Sequence, residues 1–242
     1  MADRKVLVIG GSRGIGAEAV RRFRDSGDEV VFTYHRSELA ADALRQETGA
    51  VPVRCDVKFS NSVKIAADKA IGILGYVDVL ICNASIYDFD LLTDIEETRW
   101  EEVIDTNLNG VYYSIRNILP YMIQRKGGSI ITVCSTLGRV GTSSAVAYSA
   151  AKAGVIGLTK ALAKEVESYS VRVNCISPGL IEKGMAADED IVAETAGCFT
   201  KKTPLCRTGR PEDTVAVMDF LASEDAGFIT GQVIGVNGGL GV

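Results

Sequence analysis

The sequence predicts an α/β fold of the doubly wound type, with a seven-stranded parallel sheet and helices on both faces. Three observations predict it: strand-like apolar runs alternate strictly with helical patterns, a glycine-rich segment follows the first run, and no linker-like tract interrupts the alternation. The predicted strands are 5–9, 29–34, 51–55, 77–82, 129–134, 171–176 and 232–236. The predicted helices are 14–26, 38–47, 60–73, 99–124, 147–168 and 211–222. We therefore expect residues 1–242 to form a single domain.

The elements follow from local pattern, taken in chain order. The first strand is a short continuous apolar run that stops at Gly10, which is typical of a strand buried on both faces. The first helix is closed by Gly27, a residue that favours helix C-termini. The later strands repeat the short apolar pattern, and the helical patterns between them allow right-handed crossovers. Residues 180–210 have no clean pattern, and a long polar segment at this place predicts a lid over a site.

Composition limits the classes of function. The 242 residues are 47% hydrophobic and 24% charged, as in a globular protein. A net charge of −5 makes nucleic acid an unexpected partner, and no apolar run is long enough to suggest a membrane span. The N-terminus runs directly into a strand pattern, so we expect no signal peptide. The six cysteines lack C-x-x-C spacing, which predicts a reducing, cytoplasmic location and no metal site.

A glycine-rich loop, Gly10-Gly-Ser-Arg-Gly14-Ile-Gly16, links the first strand to the first helix. Glycines allow the backbone to approach a pyrophosphate closely, and the helix N-terminus offers free N–H groups to the anion. The alternative is a tight turn with no ligand, which the strand-to-helix context disfavours. We expect dinucleotide contacts from Gly10, Ser12, Arg13, Gly14, Ile15 and Gly16.

The residues after the second strand favour NADP(H) over NAD(H). NAD-binding proteins of this type place an acidic residue about 20 residues beyond the loop to bind the ribose hydroxyls. Here the strand ends in Tyr34-His35-Arg36, and no acid precedes Glu38. Arg13 and Arg36 can instead bind a 2′-phosphate, which suits the guanidinium group. The alternative is that both arginines are ordinary solvated surface residues.

A tyrosine and a lysine four residues apart indicate the chemistry. Tyr148 and Lys152 lie in a run rich in helix formers, so they share one helix face. We expect the ammonium to lower the pKa of the phenol toward working pH and make it a general acid or base. Ser135, at the end of the fifth strand, can donate a hydrogen bond to the same substrate oxygen. Taken alone, the pair also fits an ordinary amphipathic helix.

With these motifs the chain resembles the short-chain dehydrogenase/reductase family over residues 4–242. Asn83-Ala84 after the fourth strand is similar to the family's Asn-Asn-Ala-Gly motif, and Asn107 falls where the family keeps a catalytic asparagine. The resemblance implies a nicotinamide-dependent oxidoreductase of Rossmann type. It implies a catalytic set of Asn107, Ser135, Tyr148 and Lys152. It implies further cofactor contacts from Asp56, Val57, Asn83, Ala84, Tyr148, Lys152, Pro178, Gly179, Ile181 and Lys183.

Within the family the chain most resembles the β-ketoacyl-acyl-carrier-protein reductases. The segments 11–16, 173–182 and 204–239 carry this likeness, and other ketone reductases share them. The resemblance implies a 3-oxoacyl thioester substrate, an acyl carrier protein as a possible partner, and a homotetramer. It also places Lys126 among basic residues that dock the carrier near the site, with Tyr169 where a second would lie. Alternatives are a reductase for a steroid, sugar or small diketone, and a sensor that binds NADP without turnover.

Three positions depart from the family pattern. Ile9 replaces the usual threonine before the first loop glycine, which should remove a hydrogen bond that stabilises the turn. Ser85 replaces the glycine after Asn-Ala and places a larger residue beside the cofactor. Lys183 replaces a threonine that contacts the nicotinamide amide or the phosphates. A lysine there can still reach a phosphate, or it can reorganise the lid.

Overall fold

The computed structural model describes residues 4–87, 89–182 and 200–241. The strands are β1 (Lys5–Ile9), β2 (Glu29–Tyr34), β3 (Val51–Arg54), β4 (Val79–Cys82), β5 (Gly128–Val133), β6 (Val171–Pro178) and β7 (Val233–Val236). They form one seven-stranded sheet in the order β3-β2-β1-β4-β5-β6-β7, and every neighbouring pair is parallel. The predicted doubly wound fold is confirmed.

Helices cover both faces of this sheet because each carries an apolar stripe that needs burial. They are α1 (Gly14–Asp25), α2 (Glu38–Thr48), α3 (Ser60–Leu74), α4 (Glu97–Ile104), α5 (Gly110–Arg125), α6 (Leu137–Val140), α7 (Val146–Glu165) and α8 (Pro211–Ala222). One core cluster joins the sheet to α3, α5 and α7, and the other joins it to α1, α2 and α8. The core therefore lies in two layers, one on each side of the sheet.

The strand order reverses at β1, which pairs with β2 on one side and β4 on the other. In such sheets ligands bind in the crevice outside the carboxyl ends of the strands at the reversal. The loop that begins at Gly10 follows β1, and Asn83 follows β4. The fold therefore brings the two predicted cofactor motifs to the same crevice.

The predicted helix 99–124 is helical throughout, but it is not one regular α-helix. The structure has α4 and α5 separated by a π-helical segment, Asp105–Asn109, and α4 begins at Glu97. A π segment inserts an extra residue into a helix and is frequent at functional sites, but it leaves the apolar pattern on either side almost unchanged. The interruption places Asn107 inside the π segment, where its side chain is fully buried.

The two ends of the predicted lid lie beside each other. Gly209 N–H donates to the Leu180 carbonyl and Glu182 N–H donates to the Gly209 carbonyl, both at 2.8 Å. The middle of this segment, including Lys183, lies outside the described residues. Within the described ranges no helix is long and apolar enough to cross a membrane, and no three metal-binding side chains cluster.

Candidate active site

The glycine loop is a tight turn that is possible only because Gly10 and Gly16 carry no side chain. Gly10 has a φ of +81°, and a Cβ there would lie 2.6 Å from Ala84 Cα. A Cβ on Gly16 would lie 2.1 Å from the Gly10 carbonyl oxygen. Thr33 Oγ1 accepts a hydrogen bond from Gly10 N–H at 2.9 Å. The turn therefore keeps a side-chain hydrogen bond, with a buried threonine of the neighbouring strand, although Ile9 has no hydroxyl group.

Asn83 and Ala84 attach the end of β4 to this loop. Asn83 Nδ2 donates to the Gly10 carbonyl at 2.8 Å, and Ala84 N–H donates to the Ile9 carbonyl at 2.8 Å. Both contacts cross from one side of the crevice to the other. The structure therefore places both residues against the loop, as expected for the cofactor crevice.

The loop and the start of α1 fit a dinucleotide. The N-cap residue Arg13 forms no side-chain cap, so the first N–H groups of α1 remain available to an anion. Arg13 and Arg36 are both exposed, and neither has an ion-pair partner among the residues that the structure describes. Two free guanidinium groups at the ends of β1 and β2 suit a 2′-phosphate. Ser12, Gly14 and Ile15 lie partly exposed in the same turn.

Asp56 and Val57 lie at the end of β3, as predicted. Asp56 accepts a hydrogen bond from Lys58 N–H at 3.1 Å, and its Oδ2 lies 3.3 Å from His35 Nε2. The Val57 side chain is buried against Gly110. Val57 can therefore offer a ligand only its backbone, whereas the Asp56 carboxylate remains partly exposed.

Tyr148, Ser135 and Lys152 come together at the carboxyl end of β5. Tyr148 is 5% exposed, and an interaction with the Ser135 side chain lowers the pKa of its phenol, although burial raises it by more. Ser135 Oγ accepts from Leu137 N–H at 3.1 Å, which leaves the serine hydrogen available to a substrate oxygen. Lys152 Nζ lies 5.6 Å from the centre of the Tyr148 ring and donates to the Val133 carbonyl at 3.0 Å. The predicted juxtaposition is present.

The expected direction of the Tyr148 pKa shift is wrong for this arrangement. Burial raises the pKa of Tyr148 above its ordinary value, and hydrogen bonds from Ser135 and Ser85 lower it by less. Burial also lowers the pKa of Lys152 to about 8. The lysine does not dominate because it is itself desolvated and its ammonium faces the Val133 carbonyl. The phenol therefore stays protonated at neutral pH, which suits a proton donor.

Both polar atoms of the Asn107 carboxamide form hydrogen bonds within the protein. Its Oδ1 accepts from Ile86 N–H and from the Ser85 hydroxyl, each at 2.8 Å, and its Nδ2 donates to the Ile86 carbonyl at 2.8 Å. The side chain thus holds the segment that leaves β4. That segment continues to Tyr87, whose ring packs edge-on against the Tyr148 ring with centroids 4.7 Å apart.

Sequence reasoning missed Ser85 and Tyr87 as neighbours of Tyr148. Ser85 appears in the sequence only as a departure beside the cofactor motif, and Tyr87 has no motif at all. The detectable signal was their position two to four residues after Asn83, in the segment that leaves the sheet at the crevice. The group that accepts the Lys152 hydrogen bond is a backbone carbonyl, which every residue has, so the sequence could not indicate it.

The remaining predicted cofactor residues lie at the end of β6. The Pro178 carbonyl accepts from Thr136 N–H at 3.0 Å, and Gly179 N–H donates to the Val236 carbonyl at 3.1 Å. Ile181 forms an isolated bridge with Gly209 at the base of the lid segment. These contacts place the end of β6 beside Thr136, next to Ser135.

Lys126 does not lie near Ser135 of its own chain, as a place at the mouth of that site would require, and its docking role stays a prediction. Lys126 ends α5 and precedes β5, whereas Ser135 follows β5. The six-residue strand between them spans about 20 Å at about 3.3 Å per residue. Tyr169 likewise precedes β6. Both residues therefore lie at the amino edge of the sheet, opposite the crevice.

Comparison with known proteins agrees with this geometry. The family model described as Enoyl-(Acyl carrier protein) reductase matches residues 9–241. The 3-oxoacyl-(acyl-carrier-protein) reductase FabG of Chlamydia pneumoniae is 38% identical over 246 residues, covering 99% of this chain and 98% of the relative. FabG of Thermotoga maritima is 36% identical over 239 residues, covering 97% and 96%. A mutant short-chain dehydrogenase/reductase from Serratia marcescens superimposes with a TM-score of 0.91 at 27% identity, covering 99% and 98%. The chain belongs to the short-chain dehydrogenase/reductase family of oxidoreductases.

Proposed function

We propose that the protein is an NADPH-dependent carbonyl reductase that converts a 3-oxoacyl thioester to the 3-hydroxyacyl form. The observation that carries the proposal is the placement of Ser135, Tyr148 and Lys152 at the carboxyl end of β5, where Lys152 Nζ lies 5.6 Å from the centre of the Tyr148 ring and donates to the Val133 carbonyl. Contacts through Asn83 and Ala84 join the neighbouring end of β4 to the glycine loop. A carbonyl oxygen at this place meets two hydroxyl donors and lies beside a dinucleotide crevice.

The proposed chemistry assigns each polar group a separate task. NADPH, when bound, supplies hydride to the carbonyl carbon. Ser135 donates a hydrogen bond to the carbonyl oxygen as negative charge develops there. Tyr148 transfers its phenolic proton to that oxygen, which gives the alcohol. Asn107 holds the segment 85–87 against Tyr148, and Lys152 supplies positive charge near the phenolate that remains.

A 3-oxoacyl substrate fits the surroundings of Tyr148. The cluster that contains this ring is apolar, which suits an acyl chain, and it includes Ile86, Tyr87, Ile95, Trp100 and Leu137. The relatives from Chlamydia pneumoniae and Thermotoga maritima carry the name 3-oxoacyl-(acyl-carrier-protein) reductase. We therefore propose a thioester presented by an acyl carrier protein.

The proposal of NADPH rather than NADH depends on Arg13 and Arg36. Both side chains are exposed at the ends of β1 and β2, and no acidic residue lies between the end of β2 at Tyr34 and Glu38. A 2′-phosphate carries about two negative charges near neutral pH and forms strong bidentate hydrogen bonds with guanidinium. Cationic side chains at this place favour the phosphorylated ribose.

The experiment is a rate comparison at 340 nm with NADPH and a panel of carbonyl compounds. The panel contains acetoacetyl groups on carrier protein, coenzyme A and pantetheine, a crotonyl thioester, and steroid, sugar and diketone substrates. The proposal expects the highest kcat/KM with acetoacetyl carrier protein. Preference for the crotonyl thioester would assign enoyl reduction instead, and preference for another ketone would refute the 3-oxoacyl assignment. Tight NADPH binding without turnover of any compound would indicate a sensor.

A further inference from the structure

A row of three aromatic rings leads from Tyr148 to the surface of the protein. The Tyr87 ring packs edge-on against the Tyr148 ring with centroids 4.7 Å apart. The Phe89 ring stacks on Tyr87 with centroids 6.1 Å apart and an angle of 26° between the ring planes. Tyr148 is buried, Tyr87 is partly buried and Phe89 is 55% exposed. The rings therefore form a continuous apolar path from the proposed proton donor to solvent.

The chain is anchored on both sides of Phe89. Arg99 Nη2, on α4, donates to the Tyr87 carbonyl at 2.8 Å. On the other side, Asp90 forms an isolated parallel bridge with Ala145, the residue that precedes α7. A side chain that is already held in place loses little conformational entropy when a ligand binds to it. The Phe89 ring is thus a preformed surface at the outer end of the row.

The apolar surface continues beyond Phe89. Leu91 and Leu92 are 55% and 62% exposed, so three large apolar side chains lie exposed within four residues. Leu92 lines an open groove of about 310 Å³ together with Ile95 and Trp100, which also pack in the cluster around the proposed proton donor. Single apolar residues are ordinary on a protein surface, but a contiguous group beside a groove indicates a binding site.

The chemistry of this surface favours an uncharged hydrocarbon as its occupant. Glu97 and Glu101 also line the groove, and no basic residue lines it in the part of the chain that the structure describes. Carboxylates disfavour an anionic or phosphorylated group, whereas aromatic and aliphatic side chains gain from burying apolar surface. The row of rings begins at Tyr148, where we expect the carbonyl group of the substrate. The occupant is therefore the apolar part of that same substrate.

We propose that Tyr87 and Phe89 bind the apolar tail of the carbonyl substrate, and that Phe89 determines the preference for its length. The substrates are then medium-chain 3-oxoacyl groups, in preference to the acetoacetyl group or a polar sugar. This inference rests on the proposed function for the identity of the carbonyl group. The tail surface itself does not depend on that identity, because an apolar tail on any ketone would meet the same rings.

The first test measures binding without turnover. Saturated acyl thioesters lack the 3-oxo group and cannot be reduced at that position, so they report on the tail surface alone. Calorimetry with butanoyl, hexanoyl, octanoyl and decanoyl coenzyme A in the presence of NADP+ should show wild-type affinity rising by up to about fourfold per methylene group that the rings bury. Phe89→Ala should weaken decanoyl binding by about tenfold and leave butanoyl binding unchanged. Phe89→Leu, which keeps an apolar side chain, should lie closer to the wild type.

The matched control is Phe228→Ala. Phe228 is also an exposed phenylalanine, but it precedes β7 and therefore lies at the amino edge of the sheet, opposite the crevice. Its removal should change neither the affinity nor its dependence on chain length. Reduction of 3-oxobutanoyl to 3-oxodecanoyl thioesters with NADPH gives a kinetic readout. Phe89→Ala should raise KM for the long chains and leave kcat unchanged, as expected for a lost binding contact.

A wild-type affinity that does not rise with chain length overturns the proposal, and so does a Phe89→Ala variant that keeps the wild-type dependence on length. Equal losses in Phe89→Ala and Phe228→Ala also overturn it, because the effect would then not belong to this surface. The binding series involves no reduction, so the two proposals fail separately. If no 3-oxoacyl thioester is turned over but decanoyl binding still requires Phe89, the proposed function is refuted and the tail surface is supported.

Discussion

Lys152 Nζ donates a hydrogen bond to the Val133 carbonyl at 3.0 Å, so the last residue of β5 anchors a buried amine. The lysine is 1% exposed, and the same strand end leads two residues later to Ser135. The end of β5 thus positions both side chains: its last carbonyl holds the lysine, and the chain that continues from it carries the serine. The amine is placed near Tyr148 at the cost of its own hydration.

This anchoring predicts that Lys152→Met lowers activity but raises stability. Burial lowers the pKa of Lys152 to about 8, so a charged lysine destabilises the folded protein below that pH. Methionine removes this penalty but leaves the Val133 carbonyl without its donor. We expect a net gain of about 1–2 kcal/mol in the free energy of unfolding at pH 7.

The pH dependence of this gain has a definite sign. The folded protein releases the Lys152 proton near pH 8, whereas the unfolded chain keeps it to about 10.5. The unfolded wild type therefore binds more protons between these values, and wild-type stability rises with pH relative to the variant. Urea unfolding at pH 7 and at pH 10 checks this, and a gain that does not shrink at pH 10 contradicts it.

Gly16→Ala should abolish dinucleotide binding. The added methyl group would lie 2.1 Å from the Gly10 carbonyl oxygen and 2.7 Å from Asn83 Nδ2, so the loop must move. Fluorescence titration with NADPH measures the loss, which we expect to exceed tenfold. Gly72→Ala is the matched control, because a Cβ there has no atom within 4 Å. It should leave binding unchanged and add about 0.5–1 kcal/mol to stability. Equal affinity in Gly16→Ala would contradict the packing of the loop.

Arg36→Asp should reverse the choice of cofactor. Removing a guanidinium and adding a carboxylate opposes a 2′-phosphate and favours free ribose hydroxyl groups. We expect kcat/KM for NADPH to fall at least tenfold while the value for NADH stays the same or rises. Arg36→Lys keeps the positive charge but loses the planar guanidinium group. Its ratio of kcat/KM for NADPH to that for NADH should lie between the ratios of the wild type and Arg36→Asp. An unchanged ratio in Arg36→Asp, or a wild type that prefers NADH, would refute the NADP(H) assignment.

Asp213→Ala should destabilise the start of α8. Asp213 Oδ2 accepts from Arg210 N–H at 2.8 Å, and the carboxylate also binds Arg207. The hydrogen bonds with Arg207 lower the pKa of Asp213 to about 2. We expect a loss of about 1 kcal/mol at pH 7. Because the folded pKa is depressed, this contribution is complete above about pH 4. It should disappear as the pH falls toward 2.

The control for this prediction is Asp213→Asn, which keeps an acceptor for Arg210 N–H but removes the charge. Thermal unfolding at pH 7 and at pH 3 should show a smaller loss for asparagine than for alanine, with both losses reduced at pH 3. Equal losses at the two pH values would show that the carboxylate charge does not contribute.

The sheet was predictable because each strand is a short apolar run followed by a polar or glycine boundary. Strand bounds differ from the predicted ones by two residues at most, as at β4 and β6. The break at Asn107 was not predictable, because a π segment preserves the apolar spacing on each side. The short helix α6 was missed since four residues carry no periodic signal.

The site was predictable where motif residues act through their side chains. Tyr148, Lys152 and Ser135 lie together at the carboxyl end of β5, as the resemblance implies, and Asn83 reaches the glycine loop. The prediction for the Tyr148 pKa was wrong because a sequence gives the proximity of a charge but not the burial of both partners. The place of Lys126 at the amino edge of the sheet was not foreseen, because a motif match does not state at which edge of the sheet a residue lies.

The most direct test of the proposed function is NADPH oxidation by Tyr148→Phe with an acetoacetyl thioester, together with NADPH affinity. Phenylalanine keeps the ring that packs against Tyr87 and removes only the hydroxyl group. We predict that kcat falls by at least about a thousandfold, in line with the loss of a general acid, while the dissociation constant for NADPH changes less than threefold. Turnover by the variant at the wild-type rate would show that the phenol does not donate the proton, and would contradict the mechanism.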